Sequence, residues 1–388
     1  MKFSLTIIFI YLASVGFSQK TITQYFDADW KLTNKKKAVY YRKAIKMEDD
    51  SWKVIDYYKS GEIQMKGSYH SKDFEIKEGK FRYYYESGVK RMEYNYLNNI
   101  AIGRYKFWYQ SSQLKVQGEY NEAGNKTGVW KNWDTYGNSA FSGEYVNGNM
   151  NGEWLYYFPN GEIQSKENYE HGSKIGHWEE WHENGKLNGG GYYKSDLKTG
   201  EWIWYYDNGQ LITTYNYNEQ GKEIGEHISW HKGGEKKCEG KFKNGNKEGE
   251  WKWYFENNQM SSKEQFSKDS VLNFQFFTEK GEEITEGLSY ETEPEYPGGT
   301  DSLYIFLGDK MKYPAAAMDK NIEGKVYVSF IVENDGEVLE AKVIGSAHPL
   351  LDKEALRVIN IMPNWTPGIQ HNQIVRVIYN IPINFQIN

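Results

Sequence analysis

The sequence predicts a mainly β protein: an elongated array of repeated β-hairpins, about 24 residues each, followed by a small α+β domain. Three observations carry this expectation. A spacing of 24 or 25 residues recurs through the middle of the chain; aromatic residues make up 17% of it, with 33 Tyr and 14 Trp; and the period fades after Phe277. Tyr, Trp and Phe suit pleated, half-buried surfaces. The 388 residues allow two or three domains, at roughly 100–150 residues per domain.

The N-terminal stretch "MKFSLTIIFIYLASVGFSQK" has a cation at Lys2, an apolar run from Phe3 to Val15 and small residues at Gly16 and Ser18. That layout predicts a signal peptide over 1–18, cut between Ser18 and Gln19. Its apolar run of roughly 15 residues is shorter than the ~20 that cross a bilayer, so no stable membrane span is expected. Residues 19–51 read as a leader. The formal charge of -6 is spread along the chain without a basic stripe, which argues against nucleic-acid binding. Cys238 is the single cysteine, so an intramolecular disulfide and a Cys-rich zinc site are both excluded.

The repeats occupy 52–277. Their leading glycines are Gly79, Gly103, Gly128, Gly152, Gly176, Gly200, Gly225 and Gly249, with a degenerate copy from Trp52. One aromatic column lies two residues on (Phe81, Tyr105, Trp130, Trp154, Trp178, Trp202, His227, Trp251), broken only by His227. A second lies five residues on, from Tyr84 to Tyr254, and a third seventeen residues on, from Tyr96 to Phe266. "PNG", "ENG" and "DNG" at 159–161, 183–185 and 207–209 predict tight hairpin turns in which Asn and Gly both take positive φ. A second Gly turn, as in "VNGNMNG" and "KNGNKEG", closes each copy. A lone hairpin is marginal in water, so neighbouring copies must stack to bury their rings. Trp204 and Tyr206 fall between the columns and are the candidates for an exposed repeat surface. The Gly-x-Trp-x-x-Tyr/Trp-x-x-x-Gly pattern resembles the bacterial, antitoxin-type variant of the MORN repeat over about residues 52–270. That resemblance implies a scaffold.

Residues 278–300, polar and punctuated by Gly and Pro, read as a linker to a domain at 301–388. "DSLYIFLGDKM" predicts a short helix. "GKVYVSFIVENDGEVLEAKVIG" predicts a hairpin with Val326, Val328, Phe330 and Val332 on one face and a turn at Asp335-Gly336. Leu351, Ala355, Val358 and Met362 are spaced as one helical stripe. "IVRVIYNIPINFQI" alternates as a strand from Val375 to Ile387, and Pro382 places it at an edge or a bulge. In that order "PEYPGG", "KYP", the hairpin, "LDKEALRV", "MPNWTPG" and "PINFQI" closely resemble the C-terminal domain of TonB energy transducers, over about residues 293–388. The resemblance implies a three-stranded sheet whose last strand captures the TonB box of outer-membrane transporters as an added strand. It places partner binding at Tyr313 and Pro314 and, on the last strand, at Arg376, Ile378, Asn380 and Pro382.

No pattern of catalytic chemistry is present. The eight His are scattered, and His227 and His231, four apart on a strand, are about 13 Å apart along it. No catalytic residue, metal site or cofactor is expected. The functional expectation is an exported envelope binding or scaffold protein of a Gram-negative bacterium, in the periplasm or outer envelope. Its partner would be a protein, with a TonB-dependent outer-membrane transporter the one implied. The alternative is a glycan- or wall-binding protein that uses exposed aromatic residues.

Overall fold

A computed structural model describes residues 21–286 and 289–387; the signal segment expected at 1–18 lies outside them. The chain divides into two compact units, residues 1–199 and 200–388. The division does not fall where the repeats end, because the last repeats pack with the C-terminal domain inside the second unit.

In the first unit successive strands, from Thr21–Phe26 to Leu187–Lys194, pair antiparallel with their neighbours in sequence. Residues 19–51, expected as a leader, contribute two of them: Thr21–Phe26 pairs with Tyr40–Lys46, and that strand with Trp52–Tyr58. Ala44 is buried with Trp52, Val54, Met65, Tyr69 and Phe81. Beside them Arg42 grips the buried Asp56 carboxylate with two bonds of 2.7 and 2.9 Å. This stretch lacks the Gly-led period, so its short alternation "YYRKAIK" was the only sign that it joins the sheet.

Within a copy the leading Gly lies opposite the third aromatic column, as in Gly103 with Tyr120 and Gly200 with Tyr217. Gly200 has φ 66°, a conformation costly for a side-chain-bearing residue, which explains why each copy starts on Gly. The first and third columns form a spine of edge-to-face rings. Trp130 meets Tyr145 at 6.0 Å, Tyr145 meets Trp154 at 5.0 Å, and Trp154 meets Tyr169 at 6.5 Å. In the second unit His227, Phe242, Trp251 and Phe266 continue the pattern at 5.3, 5.0 and 6.3 Å. Several rings lie flat over a glycine of the preceding copy. A Cβ on Gly143 would come within 2.1 Å of the Trp154 ring, and one on Gly240 within 2.1 Å of Trp251. The second column is half-buried instead, because Tyr205 and Tyr254 stand where the strand register shifts.

The turns depart from expectation in an instructive way. At "DNG" only Gly209 has positive φ, 92°. Gly209 N–H donates to Tyr206 O and Tyr206 N–H to Gln210 O, so the turn ends in a bulged glycine. Asn208 instead works through its side chain: Oδ1 accepts from Gln210 N–H at 2.9 Å, and Nδ2 donates to Lys232 O of the next copy at 3.1 Å. The two-residue turns with both residues at positive φ close most copies, as at Asn147-Gly148 (49° and 87°) and Asn244-Gly245 (54° and 86°), whereas the copies led by Gly103 and Gly200 close on the longer turn with only Gly124 and Gly221 at positive φ.

The C-terminal domain has three helices, α1 (Gly299–Lys310), α2 (Ala315–Met318) and α3 (Pro349–Ile359). Its antiparallel sheet places Gly324–Val332 between Val338–Gly345 and Val377–Phe385. His348 caps α3, its Nδ1 accepting from Leu350 N–H, and Pro349 follows at the first helical position. Val326, Val328, Phe330 and Val332 pack on Leu351, Ala355, Val358 and Ile359, with Ile381, Ile383 and Phe385. Met362 lies beyond the end of α3 and only flanks this core. The expected strand from Val375 to Ile387 is shorter. It breaks at Arg376, and Gln373–Val375 instead forms a hairpin with Gly368–Gln370. The expected linker holds a two-residue strand, Glu291–Thr292, that pairs with this hairpin.

Candidate partner-binding site

The strand Val377–Phe385 pairs with Gly324–Val332 on one side, and with no other strand among the described residues. Its odd-numbered residues from Tyr379 to Phe385 face the core, and Ile378, Asn380, Pro382 and Asn384 are exposed. Pro382 lies opposite Tyr327. Proline has no N–H, so it is tolerated where the backbone groups point away from the sheet. By alternation the backbone groups of Ile378, Asn380 and Asn384 share that outward side. Three of the residues expected on the last strand are therefore brought together, with Ile378 67% exposed.

Arg376 is placed differently. It sits between the hairpin and the edge strand, with Nε on Glu333 and Nη2 on Glu340, each at 2.7 Å. Tyr313 and Pro314 are built into the support of the strand. Tyr313 donates its hydroxyl to Ile322 O at 2.6 Å, and its ring meets Phe385 edge-on at 5.9 Å. Pro314 precedes the first turn of α2, its carbonyl accepting from Ala317 N–H. The buried Glu354 anchors this segment by accepting from Lys312 N–H at 2.6 Å, and its bonds to Arg357 hold its carboxyl below the usual range.

Beside the edge strand the hairpin Gly368–Val375 plugs into the last repeats. Its turn residues, His371 and Asn372, have φ 52° and 57°, the geometry of the two-residue turns that close most copies. The His371 ring stacks on Trp253 at 3.8 Å and 12°. His371 Nδ1 lies 2.8 Å from Oε1 of Glu264, whose side chain is fully buried. Glu264 also accepts from the Ser262 hydroxyl at 2.6 Å and the Tyr290 hydroxyl at 2.9 Å. Burial and that carboxylate push the Tyr290 hydroxyl well above its ordinary pKa. Asn372 donates to Phe277 O at 2.8 Å, and Gln373 to Tyr254 O and the Ser261 hydroxyl at 3.1 and 2.7 Å. Sequence reasoning missed this contact; its one signal was the polar pair "HN" between the alternating runs "GIQ" and "QIV".

The repeat-surface candidates are not an exposed platform. Trp204 shares a face with Trp202 and stacks on it at 6.0 Å. Tyr206 is half-buried and donates to Trp230 O at 3.1 Å. Tyr58, Tyr85 and Tyr109 do the same to Tyr84, Trp108 and Trp133, so Tyr206 belongs to a ladder of hydroxyls that joins copies.

Comparison with known families gives the class of protein. The family described as "Gram-negative bacterial TonB protein C-terminal" matches residues 309–387. The family described as "MORN repeat variant" matches 77–98, 150–171, 174–195, 198–219 and 247–268. The chain thus carries MORN-variant repeats followed by a TonB C-terminal domain, the make-up of a TonB-like envelope protein with repeats. No curated protein matches. Among solved structures, one described as "Crystal Structure of TcdB2-TccC3" matches at 12% identity and TM-score 0.15, covering 72% of this chain and 18% of that one. A Tc holotoxin pore from Photorhabdus luminescens matches at 11% and 0.16, covering 66% and 16%. The chain therefore spans less than a fifth of the length of either. No helix among the described residues is long and apolar enough to cross a membrane.

Proposed function

We propose that this is an exported binding protein of the Gram-negative envelope, not an enzyme, and that it takes up an extended segment of a partner protein as an added strand. The observation that carries the reading is the strand Val377–Phe385, paired on one side only and with Ile378, Asn380 and Pro382 aligned along its exposed face. An edge with unpaired N–H and C=O groups is a template for strand addition. The family resemblance makes the TonB box of an outer-membrane transporter the first partner to try, with the repeats as spacer or docking surface. In the isotopically labelled full chain, a TonB-box peptide is expected to shift amide resonances of Val377–Phe385 and leave those of the remote Val338–Gly345 edge in place. A titration that moves neither would overturn the proposal.

A second reading, glycan binding, has Tyr136 (88% exposed) and Tyr192, which lies 4.9 Å from the His177 ring, in its favour. It predicts that wall oligosaccharides bind the chain and that Tyr192→Ala abolishes this binding.

A further inference from the structure

We infer that the partner segment overruns the edge strand and enters a groove of about 980 Å³ walled by the last repeats, so that the array reads part of the same peptide. The inference rests on the strand-addition reading above. The groove is lined by Ile374 and Arg376 beside the edge strand, by Asn334, and from the repeats by Lys237, Phe255 and Phe277.

Backbone parity connects the two surfaces. In a two-residue hairpin the residues flanking the turn form a hydrogen-bonded pair, here Gln370 with Gln373. The next pair, Ile369 with Ile374, is therefore non-bonded, and the N–H and C=O of Ile374 point away from the hairpin. Gln373–Val375 is the outer strand of its small sheet, and Ile374 is 55% exposed. Only Arg376 separates it from the next strand. Ile374 thus presents outward-pointing backbone groups four residues before Ile378, with Arg376 between the two edges.

The far wall is held in place. His371, Asn372 and Gln373, immediately before Ile374, bond to Glu264, Phe277 O, Tyr254 O and Ser261. Unpaired main-chain groups recognise another main chain, so the occupant is an extended polypeptide. Phe255 and Phe277 offer apolar contact, and Lys237 an exposed cation, to its side chains.

The test measures binding of TonB-box peptides to the full chain by fluorescence anisotropy. One peptide has about nine residues, the length of the strand, and two have about sixteen, lengthened at either end with the transporter's native flank. One lengthened peptide is expected to bind more tightly than the short one. Lys237→Glu and Phe255→Ala should each weaken it about fivefold or more and leave the short peptide unchanged. Ile378→Pro should weaken all three. If Ile378→Pro acts but the groove variants do not, strand addition stands and this inference falls. If no peptide binds, both fall. If an oligosaccharide binds through Phe255 and excludes the lengthened peptide, the groove belongs to a glycan and the inference is overturned.

Discussion

A methyl group on Gly240 would collide with the Trp251 ring, and one on Gly143 with Trp154, so these glycines are seats for indoles. Gly240→Ala is expected to cost about 1–3 kcal/mol, the range for overpacking a filled core, read as a lower denaturation midpoint of the full chain. His227 is the second residue-scale test. It occupies a ring column, is buried, and burial brings its pKa from 6.5 down to about 4. The unfolded chain takes up the proton first as pH falls. Stability is therefore intact above pH 6.5 and is lost as pH drops toward 4, by an amount on the order of 3 kcal/mol. His227→Phe, which restores the column's aromatic type, should flatten that part of the stability-versus-pH curve. An unchanged slope would show that other groups set it. The columns were legible because rings recur at fixed offsets. The glycine seats were not, because a glycine under a ring looks the same in sequence as one in a turn.

Among the elements, the hairpin Gly368–Val375 has the largest consequence for its size. His371→Ala removes a ring from Trp253 and leaves the buried Glu264 with hydroxyl partners alone. Removing one partner of a buried hydrogen-bonded group costs about 1–3 kcal/mol. Hydrogen exchange at the Gln370 and Gln373 amides, which pair next to the turn, should accelerate accordingly, while Gly324–Val332 stays protected. Equal acceleration in both strands would mean that the domain, not the contact, was destabilised. Most strands could be placed from alternation and turns, since the period marks both ends of each hairpin. The end of the hairpin, Ile374-Val375, reads in sequence as the start of the last strand, because Val375 and Val377 keep the alternation across Arg376. The conformation expected at the first turn differs for a related reason: Asn-Gly serves both turns, and only the loop length around it decides which residue turns left-handed.

At the scale of the second unit, the TonB-like domain covers the end of the repeats. Trp253, Ser261, Ser262 and Glu264 are buried there. Terminal repeats need a polar or covered face to stay soluble. A chain ending before residue 289 is expected to unfold at lower temperature and to self-associate in analytical ultracentrifugation. Unchanged behaviour would show that the repeats cap themselves. The existence of both domains was legible in sequence, from the period and from separate motifs in order. Their contact was not, because it joins residues about a hundred positions apart through single hydrogen bonds and one ring stack.

The attachment of the hairpin also decides where a mechanical load would go. A partner held on Val377–Phe385 and pulled away would drag, through Arg376, Val375 and Ile374, on Gln373, Asn372 and His371. Those residues are pinned to the repeats through Trp253, Tyr254, Ser261 and Phe277. Tension would therefore pass straight from the bound strand into the array, and the connecting segment 278–298 would carry it only after the pin had slipped.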